Sequence, residues 1–410
     1  MDYGNFSGDS DTRRASESLR RQRAIAQMKR KRRRKLMIRR TLIVVVGLLI
    51  IFLAIFLLVQ LFKAIFGGGS GNQAVQATVA ATSQTAETQA ATQAQTSATT
   101  FNKPTIPDDG TSEGYYSASN AGIYIYKNMA LELFGSPEST AQYYADTISG
   151  FKEAAPEYTV YNMVVPNHSE FAIPQRLIDN ESVYVGSQAE NINYIYTHYK
   201  ADVKPINCYN KLGEHINEYI YFNTDHHWTG LGAYYAYQAF CEQTGQTPLD
   251  LSTCTEHTIE GFEGSMIDAD PSLYDHKDTV HFWEFPYETR AKRQDNPGEE
   301  LYDSSVYYME ETGGSVAYGV FIWGDAPLFI EYNDNLNNGK KIAVVKESYG
   351  NSFVPYLTNN YEEVHVIDFR YFGQNLKSYM QDNDIDEVLF INNVMSANAA
   401  ERQDEIRSLY

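Results

Sequence analysis

The sequence predicts an α/β domain, a mostly parallel sheet layered with helices in an α/β/α sandwich, carried behind one transmembrane helix and a disordered linker. Three observations predict it. From residue 115 onward short apolar runs alternate with segments of helical periodicity, the rhythm of helices packed on a sheet around one core. Residues 41–62 contain no charge. Residues 67–100 are almost entirely Gly, Ala, Ser, Thr, Gln and Asn, with Glu87 their only charge.

The N-terminal elements are set by charge. Residues 1–40 carry 14 Lys or Arg against four acids, so with −19 overall the remainder holds −29 (−19 − 10). Few apolar residues interrupt that basic stretch, which makes it a disordered arm. A nucleic-acid role for the arm competes with a membrane-topology role, and the adjoining apolar segment decides for the membrane. As a helix, residues 41–62 span about 33 Å against a bilayer core of about 30 Å. The basic run at 30–35 and Arg39-Arg40 precede the segment, and only Lys63 comes closely after it, so the N-terminus is expected in the cytoplasm. The reading is an uncleaved signal anchor that engages the lipid bilayer, with no nucleic-acid partner. Residues 63–112 are then a flexible extracellular linker and residues 113–410 the folded extracellular domain. Three cysteines, Cys208, Cys241 and Cys254, lack metal-site spacing and are too few for a disulfide framework.

Within the domain, residues 139–155 form an apolar-faced helix stopped by Pro156, and 159–165 (TVYNMVV) a buried strand stopped by Pro166. Residues 229–244 form a helix with Ala233, Tyr234, Tyr237 and Phe240 inward, and Thr229 suits its N-cap. Residues 341–345, 364–369 and 388–391 are further apolar strands, separated by helices near 353–357 and 374–381. Between 251 and 338 the rhythm weakens and acidic, aromatic and turn residues alternate, the mark of an irregular insertion or small β-rich lobe. Trp283 and Trp323 in that stretch can stack on sugars, although core packing is the usual role of such side chains.

The densest group of catalytic side-chain types is Asn223-Thr224-Asp225-His226-His227-Trp228-Thr229-Gly230. If residues 221–228 are extended, Asp225 and His227 share one face and His226 takes the other. A carboxylate beside an imidazole is the orienting half of a hydrolytic triad. Ser348 in Glu347-Ser348-Tyr349 comes after the apolar run at 342–345, a strand-to-loop corner suited to a nucleophile. The expected catalytic residues are therefore Ser348, His227 and Asp225. Asn351 is a candidate oxyanion or substrate donor, and Arg370 and Tyr371, at the end of a strand, are candidates to line the cleft. A hydrogen-bonded turn with no catalytic role remains open on spacing alone. Metal binding by Asp225, His226 and His227 is disfavoured because adjacent histidines on an extended chain diverge; neither metal nor cofactor is expected.

At Thr224-Asp225-His226-His227-Trp228-Thr229 the chain resembles the DHHW-motif family of bacterial membrane-anchored proteins. It is more distantly similar to the SGNH-hydrolase-like proteins of alginate O-acetylation. The likeness runs from Ala121-Gly122-Ile123-Tyr124 through Val164-Val165-Pro166-Asn167 and Pro174 to Asp368-Phe369-Arg370-Tyr371 and Val388-Leu389-Phe390. The resemblance implies an SGNH-hydrolase-like sandwich with the triad in chain order Asp225, His227, Ser348, and acetyl transfer to, or removal from, an envelope or extracellular polysaccharide. A transferase outside the cell has no access to cytoplasmic acetyl-CoA, so it needs a multi-pass membrane acyltransferase as donor. Glu347 departs from the small or neutral residue of the alginate proteins, and a carboxylate facing the site raises the cost of an oxyanion. The alternative is a catalytically inactive glycan-binding or scaffold protein of the cell surface.

Overall fold

The computed structural model describes residues 100–309 and 313–410. The basic arm, the apolar segment at 41–62 and residues 63–99 of the expected linker lie outside the described residues. Among the described residues no helix is long and apolar enough to cross a membrane.

Among the described residues Phe101, inside the stretch read as linker, is already packed. Its ring lies 5.4 Å from that of Tyr209 and 6.1 Å from that of Tyr196, and Arg176 bonds Asp108 and Glu113 at 2.9 and 2.8 Å. Phe101 is an aromatic ring and Asp108 and Glu113 are carboxylates, residue types that can pack and pair in this way. Strands β1 (Tyr115–Tyr116), β2 (Ile123–Tyr126) and β3 (Met129–Glu132) then form a small antiparallel sheet. Lys127 and Asn128, both left-handed at φ 46° and 64°, make the two-residue turn that matches strand twist.

The remaining strands are β4 (Thr159–Val165), β5 (Val203–Pro205), β6 (Thr255–Phe262), β7 (Asp278–Glu284), β8 (Arg290–Gln294), β9 (Tyr302–Ser304), β10 (Leu328–Tyr332), β11 (Lys341–Lys346), β12 (Glu363–Asp368) and β13 (Glu387–Asn393). Eight of them form the central sheet in the order β5-β4-β13-β11-β12-β10-β8-β9. The run from β5 to β12 is parallel, with Val344 paired to Leu389 on one side and Val366 on the other. Strands β10, β8 and β9 add on antiparallel. Ile342 to Val345 are wholly buried, as the unbroken apolar run of a strand covered on both faces requires. By contrast β8 reads RAKRQ, which hides a strand of the sheet inside the stretch expected to be an irregular lobe. That stretch also supplies the β6–β7 hairpin.

Helices cover both faces. Phe151 of α1 (Glu138–Ala154) packs on Phe390 at 5.2 Å. Phe240 of a later helix, Gly230–Thr244, packs on Tyr161 at 5.7 Å. Phe390 pairs across the sheet with Asn162, and Tyr161 with Leu389, so the two contacts lie on alternate, opposite faces. The result is a mixed α/β fold with a central sheet. Strands β4, β13, β11 and β12 end together at Val165, Asn393, Lys346 and Asp368, and the loops beyond those carboxyl ends gather the site.

Candidate active site

Residues 223–227 are not a strand. A Tyr221–Trp228 bridge closes them into a tight loop. Asp225 Oδ1 accepts from the His227 N–H at 2.9 Å and from Nδ1 at 2.6 Å, the local bond by which a short carboxylate stabilises a turn. The turn, rather than a shared strand face, therefore pairs the two side chains. It also corrects the expected place of His226: its ring lies 3.9 Å from that of His227, and its Nδ1 meets Ser265 Oγ at 2.7 Å.

The loop is held from outside by residues that carry no sequence signal. Asp278 on β7 accepts from Tyr219 Oη at 2.5 Å, Asn223 N at 2.8 Å, Thr224 N at 2.7 Å and Thr224 Oγ1 at 2.5 Å. Ser265 N donates to Asp225 Oδ2 at 2.7 Å. Behind the loop, the Thr229 hydroxyl caps the Gly230–Thr244 helix by accepting from Gly232 N, as its residue type predicts.

Ser348 opens a 3-10 turn, Ser348–Ser352, directly after β11. Its Oγ lies 2.8 Å from His227 Nε2. With Nδ1–H donated to Asp225, Nε2 is left to accept the hydroxyl proton. Two latches fix this approach across the fold: Trp228 Nε1 donates to Tyr349 O at 2.9 Å, and Tyr349 Oη donates to His226 O. Tyr318 stacks on the His227 ring at 4.1 Å and 13°, while its hydroxyl donates to Ser348 O at 3.0 Å. Tyr318, like Asp278 and Ser265, comes from the 251–338 stretch, and only its residue type hints at a role.

Burial works to raise the Asp225 pKa, but His227 and the Ser265 N–H outweigh it and hold the carboxyl well below its usual range. His226 is pushed down to about 4 by burial and by its neighbour His227, so it is neutral at pH 7. The three groups can pass a proton from Ser348 to His227 while Asp225 steadies the resulting imidazolium.

Glu347 turns its carboxylate toward N–H donors. Oε1 accepts from Asn393 N at 2.9 Å and Nδ2 at 3.1 Å, and Oε2 from Tyr349 N at 2.9 Å and Ser348 Oγ at 3.3 Å. It ties the serine turn to the end of β13, and it engages the N–H of the residue after Ser348. Asn351 donates Nδ2 to Asp325 Oδ1 at 3.1 Å, and its buried Oδ1 has no partner among the described residues. Arg370 binds Asp368 through Nε at 2.8 Å and Nη2 at 2.6 Å, and Asp325 through Nη2 at 2.9 Å. Lys346, wholly buried, lies 3.2 Å from Asp325 and 3.0 Å from Asp368. Asn351 and Arg370 thus meet at Asp325 near the Ser348 turn, whereas Tyr371 is 47% exposed at the rim under the Arg370 guanidinium.

The ligand atoms of Asp225, His226 and His227 all lie within 4.8 Å of one another. Both Asp225 oxygens, His226 Nδ1 and both His227 nitrogens already have protein partners, so a metal would have to displace hydrogen bonds made within the protein.

A family model described as DHHW protein matches residues 104–367. None of the curated proteins matches the chain. Among solved structures, a DHHW family protein from Eubacterium siraeum is 30% identical with a TM-score of 0.65, over 72% of this chain and 98% of that one. PatB1 from Bacillus cereus is 21% identical with a TM-score of 0.55, over 68% of this chain and 97% of that one. The same protein with a sulfonyl adduct gives 19% identity and the same TM-score. The likeness to PatB1 is one of fold.

Proposed function

The chain belongs to the DHHW protein family, and we propose that it is a membrane-anchored extracellular O-acetyltransferase or acetylesterase acting on cell-envelope polysaccharide or exopolysaccharide. The fold it uses is read as an SGNH-hydrolase-like three-layer sandwich. One observation carries the reading: Ser348 Oγ is 2.8 Å from His227 Nε2 while Nδ1 of the same ring is 2.6 Å from Asp225. Those distances suit a relay ready to act without rearrangement.

In the first half-reaction His227 takes the Ser348 proton as Oγ bonds to the ester carbonyl carbon. The bond to the departing alkoxide then breaks, and His227 returns the proton to it. In the second half, water or a sugar hydroxyl gives its proton to His227 and attacks the acyl-serine, and the protonated imidazole restores Ser348. The transient oxyanion needs donors. With the Tyr349 N–H engaged by Glu347, Arg370 is the cationic candidate, because Nη1 has no partner among the described residues.

The remaining assignments are proposals on sequence grounds. Residues 1–40 form a cytoplasmic arm, 41–62 the bilayer anchor, 63–112 a tether whose last residues, from Phe101, pack on the domain, and 113–410 the extracellular domain, with 251–338 the insertion that clamps the site. The polysaccharide is the partner outside, and a multi-pass membrane acyltransferase hands out the acetyl group where transfer is the reaction. No cofactor enters the scheme.

The test is hydrolysis of an aryl acetate by full-length protein. Ser348→Ala is expected to reduce kcat by about 10³-fold or more, as loss of a triad serine does. Full activity in that variant would reject the assignment. Glu347 favours a second reading, an inactive glycan-binding or scaffold protein, because it removes a backbone donor from the oxyanion site. Glycan binding without acetyl turnover, unchanged by Ser348→Ala, would decide for it.

A further inference from the structure

Glu132, the last residue of β3, sits at the edge where the candidate site forms, and the triad chemistry leaves it without a task. Ala130 N donates to Asn223 O at 2.8 Å, which lays β3 against the start of the aspartate–histidine loop. Asn167 Nδ2, just past the end of β4, donates to Glu132 O at 3.1 Å. Between these two anchors the Glu132 carboxyl, half-buried, has His227, Glu347 and Asp225 as its electrostatic neighbours. Among the described residues its oxygens have no hydrogen-bond partner. Burial, the largest influence, pushes its pKa upward.

A half-buried carboxyl with no protein partner is free to exchange its water for a hydrogen bond from an incoming group. The charge around it limits what that group is. Among the described residues Asp225, Glu347, Asp325 and Asp368 gather around Ser348, with Lys346 and Arg370 as the cations paired to them. An incoming carboxylate or phosphate would add to an excess of negative charge in a poorly solvated place. A sugar hydroxyl adds none, and as donor and acceptor at once it can bond the carboxyl in either protonation state.

We propose that Glu132 is a substrate-selecting residue that exchanges hydrogen bonds with a hydroxyl of an uncharged sugar ring presented to Ser348, in a site that rejects uronate-bearing glycans. The proposal rests on Ser348 being the acyl-transfer nucleophile.

It is tested on full-length protein with an O-acetylated N-acetylhexosamine oligomer, an O-acetylated uronate oligomer and an aryl acetate that lacks hydroxyls. The neutral oligomer is expected to exceed the uronate at least about tenfold in kcat/KM, the scale on which a hydrogen-bonding site discriminates. Glu132→Ala is expected to raise KM for the neutral oligomer about tenfold, more than for the aryl acetate. Glu132→Gln, which keeps a donor and an acceptor, is expected to recover most of that loss. Equal turnover of the two oligomers by the wild type would overturn the proposal, as would an equal change on all three substrates in Glu132→Ala, or a Glu132→Gln as impaired as the alanine. Should the alanine variant fail to fold, the wild-type preference and the glutamine variant decide. Aryl-acetate hydrolysis that survives Ser348→Ala would sink the nucleophile assignment itself, an outcome distinct from a failure at Glu132.

Discussion

Asp225 concentrates the residue-scale logic, because one side chain builds the turn and orients the base. Oδ1 receives both the backbone and the ring N–H of His227, and Oδ2 receives Ser265 N–H. Asparagine in its place keeps the size but offers one acceptor where there were two, and it can hold the imidazole in the wrong tautomer. Asp225→Asn is therefore expected to lower kcat on an aryl acetate by about 10³ to 10⁴-fold, the scale seen when a triad aspartate loses its charge. KM for the same ester should change little, and steady-state kinetics would separate the two. That Asp225, His227 and Ser348 come together is legible in the sequence because few residue types suit the proposed chemistry and these stand at a turn and a strand end. The physical basis expected for the first pair, a common strand face, does not hold. Glu347 is legible only as a threat, because sequence does not say which N–H groups a carboxylate will meet.

At the scale of elements, the site is a loop gripped between a strand-end turn and a clamp from β6 and β7. The clamp tolerates no extra atom at Gly264, where a Cβ would lie 2.3 Å from Thr224 O and 2.5 Å from Asp225 Cβ. Those are backbone and short side-chain atoms, so the clamp itself would have to move, and the Ser265 N–H would leave Asp225. Gly264→Ala is expected to lower kcat about 10²-fold, the usual cost of an ångström-scale misplacement, together with a fall in Tm. An unchanged kcat would show that the clamp does not position Asp225. None of this clamp is readable in the sequence. The parallel strands announce themselves as apolar runs such as Ile342 to Val345, buried on both sides, and the Gly230–Thr244 helix by its inward aromatics and capping threonine. Strands β8 and β10 carry Arg290, Lys292, Arg293 and Glu331, and Asp278, Ser265 and Tyr318 reach the site from segments with no period. Of the antiparallel strands added to the parallel core, β8 is mostly polar and its signal fades, whereas β10, LFIEY, keeps an apolar run broken only by Glu331.

For the molecule as a whole, acid stability depends on two imidazoles that folding keeps neutral. His168 stacks on Tyr221 at 5.0 Å with Nδ1 donating to Phe222 O at 3.1 Å, and burial pushes its pKa down to about 4. His226 is likewise pushed down to about 4. Both hold the same loop, one from the exit of β4 and one from Ser265, so the titration that weakens the fold also weakens the site. In the unfolded chain each would titrate near about 6.5. Above that value neither state is protonated and their full contribution is present. Between about 6.5 and 4 the unfolded chain binds up to two more protons than the folded one, so stability falls as pH falls. Below about 4 both states are protonated and this contribution is gone, while Asp225, held far lower, is still ionised in the fold. Tm is therefore expected to drop steadily from pH 6.5 to 4.5, and His226→Gln, which removes one of the two protons, should make the slope shallower. A Tm that stays flat across that window would mean that the two rings are charged inside the fold, and a neutral His226 beside His227, the proposed base, would have to be given up with it.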